Sequence, residues 1–472
     1  MTSRISILHT DTSRIVKARA LKVTSLCLLI ACFTAVPALA IDFGCLFQAD
    51  YYGLIDPTTF YESDRMRFTV VPEITGKSRS NLVSYQFNGV LYYQPVGDPA
   101  FTEPERLIRE AYVGLHFNIF DMYLGQKFVN WGKVDILSPV NTVNHSDNTV
   151  LSLDNYFEIS LPDLLGQVMV HFSDFFNIEI VYVPFFQPNI DPIEERVIDR
   201  ELTISFPTMK TQHYDINAAF LDRKIGPFDR AGHSIHGSAN YFSDLFDLSG
   251  YCSSYIDPFL DFDLSNVEEE IVIGVAADDH FITGTAYPGY NRVHNFGIAA
   301  SFYLLDFLIS MDGAFKLTQD RDGSQMEIKN SQFFYIVQVE RTFLGNVHGQ
   351  VNFFHRYILN SDATIKSAYS SAVQSYIKAE IDDYLMQEPA SQIYVLMHLD
   401  TSFFHEKLLP GANVIYGSSE KAWYCAPRLA YRISDYVTLY TGADIWTGGM
   451  EGGFLGRNKE NDNFFVRLQL EI

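Results

Sequence analysis

Apolar and polar residues alternate with a period of two along most of the chain. In the last nine residues Phe464, Val466, Leu468, Leu470 and Ile472 are apolar, and Arg467, Gln469 and Glu471 fall between them. That spacing puts the two sets on opposite faces of a strand. Val83, Tyr85, Phe87, Gly89, Leu91 and Tyr93 repeat it, as do Ala111, Val113, Leu115, Phe117 and Ile119. Eighteen strands are expected, near 43–53, 64–74, 82–94, 108–119, 121–131, 166–173, 175–184, 232–242, 245–256, 292–304, 306–318, 332–342, 346–358, 391–402, 407–418, 422–432, 436–446 and 462–472. The pattern is weakest in the first two and in 407–418, which leaves 14 or 16 strands open.

The connections are of two kinds. Ile119-Phe120-Asp121, Phe172-Ser173-Asp174, Phe242-Ser243-Asp244, Leu304-Leu305-Asp306 and Ile433-Ser434-Asp435 each place an Asp, a good turn residue, between two alternating runs. At the other ends the links are long: 132–165, 185–231, 257–291 and 359–390. Short turns on one side and long loops on the other predict an all-β, transmembrane, antiparallel up-and-down barrel. A soluble sandwich would keep its outer face polar. Here nearly every strand has a face of Phe, Tyr, Leu and Val opposed by polar or small residues, which fits lipid outside and water inside. A membrane also demands closure, because open strand edges cannot sit in hydrocarbon. One segment departs from the pattern. Ile365, Ala368, Tyr369, Ala372, Val373, Tyr376, Ile377 and Ile381 recur at helical spacing. They predict a helical loop insertion near 361–389 that either covers its own loop or narrows the mouth.

Composition agrees with this picture. Of 472 residues 15% are aromatic and only 19% charged, with a formal net charge of −23. A helical membrane bundle would show several uncharged spans of about 20 residues. A disordered chain would lack the aromatics, and a nucleic-acid binder would carry a basic footprint. The N-terminus reads as a secretory signal. Arg4, Arg14, Lys17, Arg19 and Lys22 precede an apolar stretch ending in Ala38-Leu39-Ala40. Cleavage is expected after Ala40, leaving residues 41–472 as a single barrel domain. Leu29-Ile30-Ala31-Cys32 offers a competing lipoprotein site at Cys32. Removing residues 1–40 takes away those five bases and Asp11, so the net charge moves from −23 to −27. Cys45, Cys252 and Cys425 remain, too few and too scattered for a disulfide framework or a zinc site.

No hydrolase elbow, zinc-protease pair, phosphate loop or dinucleotide fingerprint occurs. No enzyme activity, cofactor or metal is expected. His233 and His236 read as ordinary strand residues. Loop 257–291 is acidic, and Asp257, Asp261 and Asp263 are a weak candidate for collecting a cation, with a solvated acidic loop as the simpler reading. Alternation points a set of charged residues inward. The early strands supply Arg65, Arg67, Glu110, His116 and Lys127. The middle strands supply Glu179, Asp312, Lys316, Glu340 and Arg356, and the last strands Arg428, Arg432, Asp444 and Arg467. Arg428, Arg432 and Arg467, with Arg65 and Arg67 across the closing seam, are expected to form a basic stripe faced by Glu110, Glu179 and Glu340. Such a stripe favours anions.

The run Tyr123-Leu124-Gly125-Gln126-Lys127-Phe128-Val129-Asn130-Trp131-Gly132-Lys133, followed by Pro139-Val140-Asn141 and His145-Ser146-Asp147, carries a resemblance. With Gly125, Trp131 and Gly132 as its motif residues, it is similar to a family of Gram-negative outer-membrane barrels built like the alginate-export porin. Gln126 and Lys127 stand where that family usually has Arg and Gln, and Ile472 where it usually has an aromatic. The resemblance implies an outer-membrane location and a porin-like channel for passive or substrate-selective passage of small solutes. The alternative is a surface-exposed structural or adhesive barrel that works through its long loops. The expected partners are membrane lipid, a small solute, and the barrel-assembly machinery at the terminal strand 464–472, with no nucleic acid.

Overall fold

A computed structural model describes residues 39–54, 65–96, 100–101, 107–146, 160–189, 215–218, 232–272, 279–366, 369, 371–385, 387–448, 455 and 462–472. One sheet of 20 segments closes on itself. Leu91–Val96 continues Val83–Gly89, and Ala100–Phe101 is a two-residue stub, so the wall has 18 antiparallel strands. They are β1 (Leu39–Leu54), β2 (Arg65–Ser78), β3 (Val83–Gly89 with Leu91–Val96), β4 (Ile108–His116), β5 (Phe120–Lys127) and β6 (Asp163–Ser173). Next come β7 (Phe176–Val183), β8 (Ser234–Phe242), β9 (Phe246–Ile256), β10 (Arg292–Leu304), β11 (Phe307–Leu317) and β12 (Gln332–Phe343). The circuit ends with β13 (Val347–Ile358), β14 (Ser391–Thr401), β15 (Leu408–Gly417), β16 (Ala422–Arg432), β17 (Val437–Gly448) and β18 (Asn463–Glu471). Each strand pairs with its neighbours in sequence. The seam is β1 against β18, in register from Leu46↔Glu471 to Leu54↔Asn463.

The alternation decides which side is wet. Leu124, Phe43, Ile41 and Ile298 keep 58–70% of their surface exposed on the outside. Asn295, Ser249, Asn352 and Gln338 point inward and are buried. Apolar outside and polar inside is the reverse of a soluble protein and matches a hydrocarbon surround. Among the described residues no helix is long and apolar enough to cross a membrane.

This inversion gives a direct test. Ile298→Arg puts a cation on the outer face of β10, near mid-strand, where it is expected to cost about 2–4 kcal/mol. Folded, heat-modifiable protein should drop sharply on gels. Ser301→Arg, facing inward on the same strand, should be milder. Equal loss from both would reverse the facing.

Three details differ from the pattern read in the sequence. The expected strand 121–131 stops at Lys127, and the expected outer loop 132–165 begins by turning into the barrel. Within loop 257–291, Asp261–Val272 and Asp279–Gly289 pair as a hairpin, with Asp215–Ala218 parallel to its second arm. The helical insertion is shorter than 361–389: α1 is Ser371–Tyr384. It buries Ile377, Ile381 and Asp382, and its Gln387 neighbourhood packs on the loop between β11 and β12, where Gln387 accepts the Asn330 N–H at 2.7 Å. The helix therefore sits at the long-loop mouth. Residues 1–38, with all but the last two residues of the expected signal segment, lie outside the described residues. Leu39 and Ala40 open β1, so the expected cleavage would trim two residues from it.

Candidate functional site

Beyond Lys127 the chain crosses the barrel interior, and inward side chains of the wall hold it there. Glu110 on β4 accepts the Phe128 N–H at 3.1 Å. Glu179 on β7 accepts the Trp131 indole N–H at 3.1 Å and also the Gln167 amide at 2.6 Å. Tyr251 on β9 accepts the Gly132 N–H at 3.3 Å through its hydroxyl oxygen. Asp312 on β11 is the central anchor. Its carboxylate accepts the Lys133 N–H at 2.9 Å, the Val134 N–H at 3.3 Å and the Ser138 hydroxyl at 2.6 Å. Gln338 on β12 both accepts from Asp135 N–H, at 3.1 Å, and donates to its carboxylate, at 2.7 Å. On the return path Asn295 donates to Pro139 O at 3.3 Å, and Thr142 reaches His236 and Ser253 at 3.2 and 3.1 Å.

Packing follows the same route. Val129, Trp131, Val140 and Val143 form a buried cluster with Leu165, Val181, Val183, Tyr251, Ala299 and Ala314 of the wall. The turn of the loop reaches further, where Ile136 packs on Leu396, Ile415, Tyr424 and Trp446 of β14 to β17. Gly132 is required at the crossing. Its φ is +114°, and a Cβ there would lie 2.2 Å from Ser138 Oγ and 2.3 Å from Asp312 Oδ2. Any side chain would push the loop off its anchor. Segment 129–146 thus covers the β6–β12 side of the interior and touches the β14–β17 side. Among the described residues it makes no hydrogen bond to β18, β1, β2 or β3. That arc carries Arg467, Asp50, Arg67, Thr69, Glu73 and Gln86 on its inward face, with Arg467 and Asp50 packed against each other and buried.

The register places the charged residues singled out in the sequence on the inward face, but in different employment. Glu110, Glu179 and Asp312 hold the loop. Glu340 accepts from Gln338 at 2.9 Å. Lys127 donates to Phe128 O and lies 5.0 Å from the Tyr123 ring centre. Arg356 reaches Gln332 and Gln392. Lys316 lies at the outer end of β11, near Asp257. The expected basic stripe does not form as a set of free cations. Arg428 is bound to Asp444 at 2.6 Å and Arg467 to Asp50 at 2.6 Å, all four side chains largely buried. Arg432 meets Glu406 at 3.5 Å on the short-turn side. Arg67 donates to Gln94 and stacks 4.8 Å from the Tyr92 ring centre. Arg65 starts β2 opposite Tyr52, and its side chain lies outside the described residues. Of the motif residues, Gly125 is in β5 with φ +139°, and Trp131 and Gly132 are in the crossing loop.

The candidate cation cluster in loop 257–291 is also reassigned. The Lys329 ammonium sits 3.2 Å from Asp257 and 3.7 Å from Asp261, where a cation would have been collected. Burial by itself pushes both carboxyls up. For Asp257 burial is the largest single influence, but the charges of Lys329 and Lys316 together with hydrogen bonds from Phe259 N–H and Lys329 hold the group below its ordinary value; for Asp261 burial wins. Asp263 makes a local turn, accepting the Ser265 N–H at 3.0 Å. Among the described residues no group of three His, Cys, Asp or Glu side chains is arranged to hold a metal.

Asp135, Ser138, Thr142, Tyr251 and Gln338 carry no mark in the sequence, and His236, read there as an ordinary strand residue, also meets the loop. The one available signal was negative: from 128 to 146 alternation stops although the chain has not yet turned back.

Neither a family model nor a curated relative matches the sequence. Among solved structures, the outer membrane protein OpdK of Pseudomonas aeruginosa aligns at a TM-score of 0.49 and 7% identity, covering 92% of this chain and 99% of that one. A BenF-like porin of Pseudomonas fluorescens gives 0.48 at 9% identity, covering 92% and 98%. OccAB1 of Acinetobacter baumannii gives 0.48 at 10% identity, covering 92% and 96%. These structures are what the chain is similar to in layout, and the functional assignment rests on its own geometry.

Proposed function

We propose that this protein is an outer-membrane, porin-like channel for small polar solutes, narrowed by the loop 128–146. The observation that carries this reading is the crossing loop itself. A closed barrel of 18 strands with an apolar outer face and a polar inner face is wide enough to hold a water path. Here that path is cut down by a segment pinned to one side, leaving the β18–β3 arc. On the short-turn side the interior polar groups stay wet, with His171 and Asp247 each 35% exposed in their side chains. A residue ring lining such a path sets which ions pass.

The paired arginines change the expected selectivity. With Arg428 and Arg467 neutralised by Asp444 and Asp50, the inward carboxylates of the described strands outnumber the unpaired cations. Weak cation preference is therefore expected in place of the anion preference that the stripe implied. The finer family likeness, to the alginate-export design, rests on sequence alone: the run 123–133 with its Gly125, Trp131 and Gly132, the pieces 139–141 and 145–147, and shorter similarities at 337–342 and 453–472.

Purified protein in planar bilayers should give discrete conductance steps, with a reversal potential on the cation side in a salt gradient. The preference should weaken at high salt, where the Debye length is about 3 Å at 1 M. Absence of conductance at any voltage would leave the structural or adhesive barrel as the better reading.

A further inference from the structure

The inward faces of three consecutive strands bring together Ser84 on β3, His116 on β4 and Asp121 on β5. Ser84 Oγ is 2.7 Å from His116 Nε2, and His116 Nδ1 is 2.8 Å from Asp121 Oδ1. The second carboxylate oxygen of Asp121 is held by His171 Nε2 at 2.8 Å, which fixes its orientation. Tyr123 packs edge-on against the His116 ring, 5.6 Å between centres. A hydroxyl on one imidazole nitrogen and an oriented carboxylate on the other is the arrangement that makes a serine nucleophilic. The three are 32 and 5 residues apart, so no linear motif announces them.

Two further features support it. Gly114 lies between Ser84 and His116 on the same face, and a Cβ there would fall 2.5 Å from Ser84 Oγ and 3.1 Å from His116 Nε2. The serine and imidazole can meet only because this position has no side chain. The group is also reachable: it lies beside the short turns, and the His116 and Asp121 side chains remain 30% and 21% exposed. Lys77 pairs with Ser84 across β2 and β3, and so places an ammonium on the same inward face.

We propose that Ser84, His116 and Asp121 form an acyl-transfer site inside the barrel that hydrolyses small ester solutes. In the first step Ser84 Oγ bonds to the ester carbonyl carbon while His116 Nε2 takes the hydroxyl proton. The carbon–alkoxide bond then breaks, and His116 returns the proton to the leaving alcohol. Water, deprotonated by His116, next attacks the acyl-serine, and the acid leaves as the Ser84 hydroxyl re-forms. Asp121 holds the Nδ1–H tautomer and stabilises the imidazolium.

The test uses the full mature chain folded in detergent, so it is independent of whether the barrel conducts. Diisopropyl fluorophosphate should label one residue, Ser84, and p-nitrophenyl acetate should be turned over. Ser84→Ala should abolish labelling. His116→Gln and Asp121→Asn should slow it by about 10³-fold or more. Gly114→Ala keeps all three groups but separates two of them, and should lose labelling while remaining heat-modifiable. Labelling at another residue, or wild-type labelling no faster than in Ser84→Ala, would overturn the site.

Discussion

Asp312→Ala should give a channel of severalfold higher conductance with an unchanged barrel. The Asp312 carboxylate takes two backbone N–H groups and the Ser138 hydroxyl from one short stretch of the crossing loop. Hydrogen bonds to a charged group contribute about 1.5–3 kcal/mol each. Losing the acceptor also strands the Lys133 and Val134 N–H groups, which then find water only if the loop lifts away. Trp131 and Val140 keep their apolar contacts, so the loop loosens at its turn rather than leaving altogether. The wall does not depend on Asp312, because its strand ladder is backbone to backbone. Asp312→Asn should have a smaller effect, since one acceptor oxygen remains. Single-channel recording reads the difference, and an unchanged conductance in Asp312→Ala would show that the loop does not limit flow.

The seam is the second place where one side chain carries much weight. Arg467 on β18 donates to Asp50 on β1 at 2.6 Å and to the Tyr52 hydroxyl at 3.2 Å. The Asp50 side chain is 2% exposed, so removing its partner leaves a buried lone charge. Breaking such a pair costs about 3–5 kcal/mol, more than the pair itself contributes. Arg467→Ala should therefore lower the temperature at which the barrel unfolds on gels. Arg467→Glu should do more, because two carboxylates would share the site. Replacing both partners, Asp50→Leu with Arg467→Met, should recover most of the loss. If Arg467→Ala unfolds at the wild-type temperature, the pair has no structural role.

The wall was legible because its determinant is local. In β18 each residue of 464–472 faces lipid or water by parity alone, and the same holds for β10 and β13. Turn residues such as Asp306 and Asp435 mark where the chain reverses. From these the barrel class, eighteen as the expected strand number with 14 or 16 left open, and the facing of Arg428, Asp312 and Glu179 followed without coordinates.

What the inward residues meet was not legible. Alternation tells which side of a strand is wet but nothing about what stands opposite. Lys133 and Asp312 are 179 residues apart in sequence, and Arg467 and Asp50 are 417 apart. Only the closed register brings β18 to β1 and turns an expected basic stripe into neutral pairs. The crossing loop is the extreme case. Residues 128–144 bury their polar backbone without a strand partner, so they have no period to read. Their structure is set by acceptors on Glu110, Glu179, Asp312 and Gln338, which the barrel must first place around a common interior. The sequence by itself determined a closed wall with lipid outside and water inside, since a period of two is written residue by residue. The tertiary structure alone decided where that water path narrows and which charges remain free, since both depend on contacts made across the barrel.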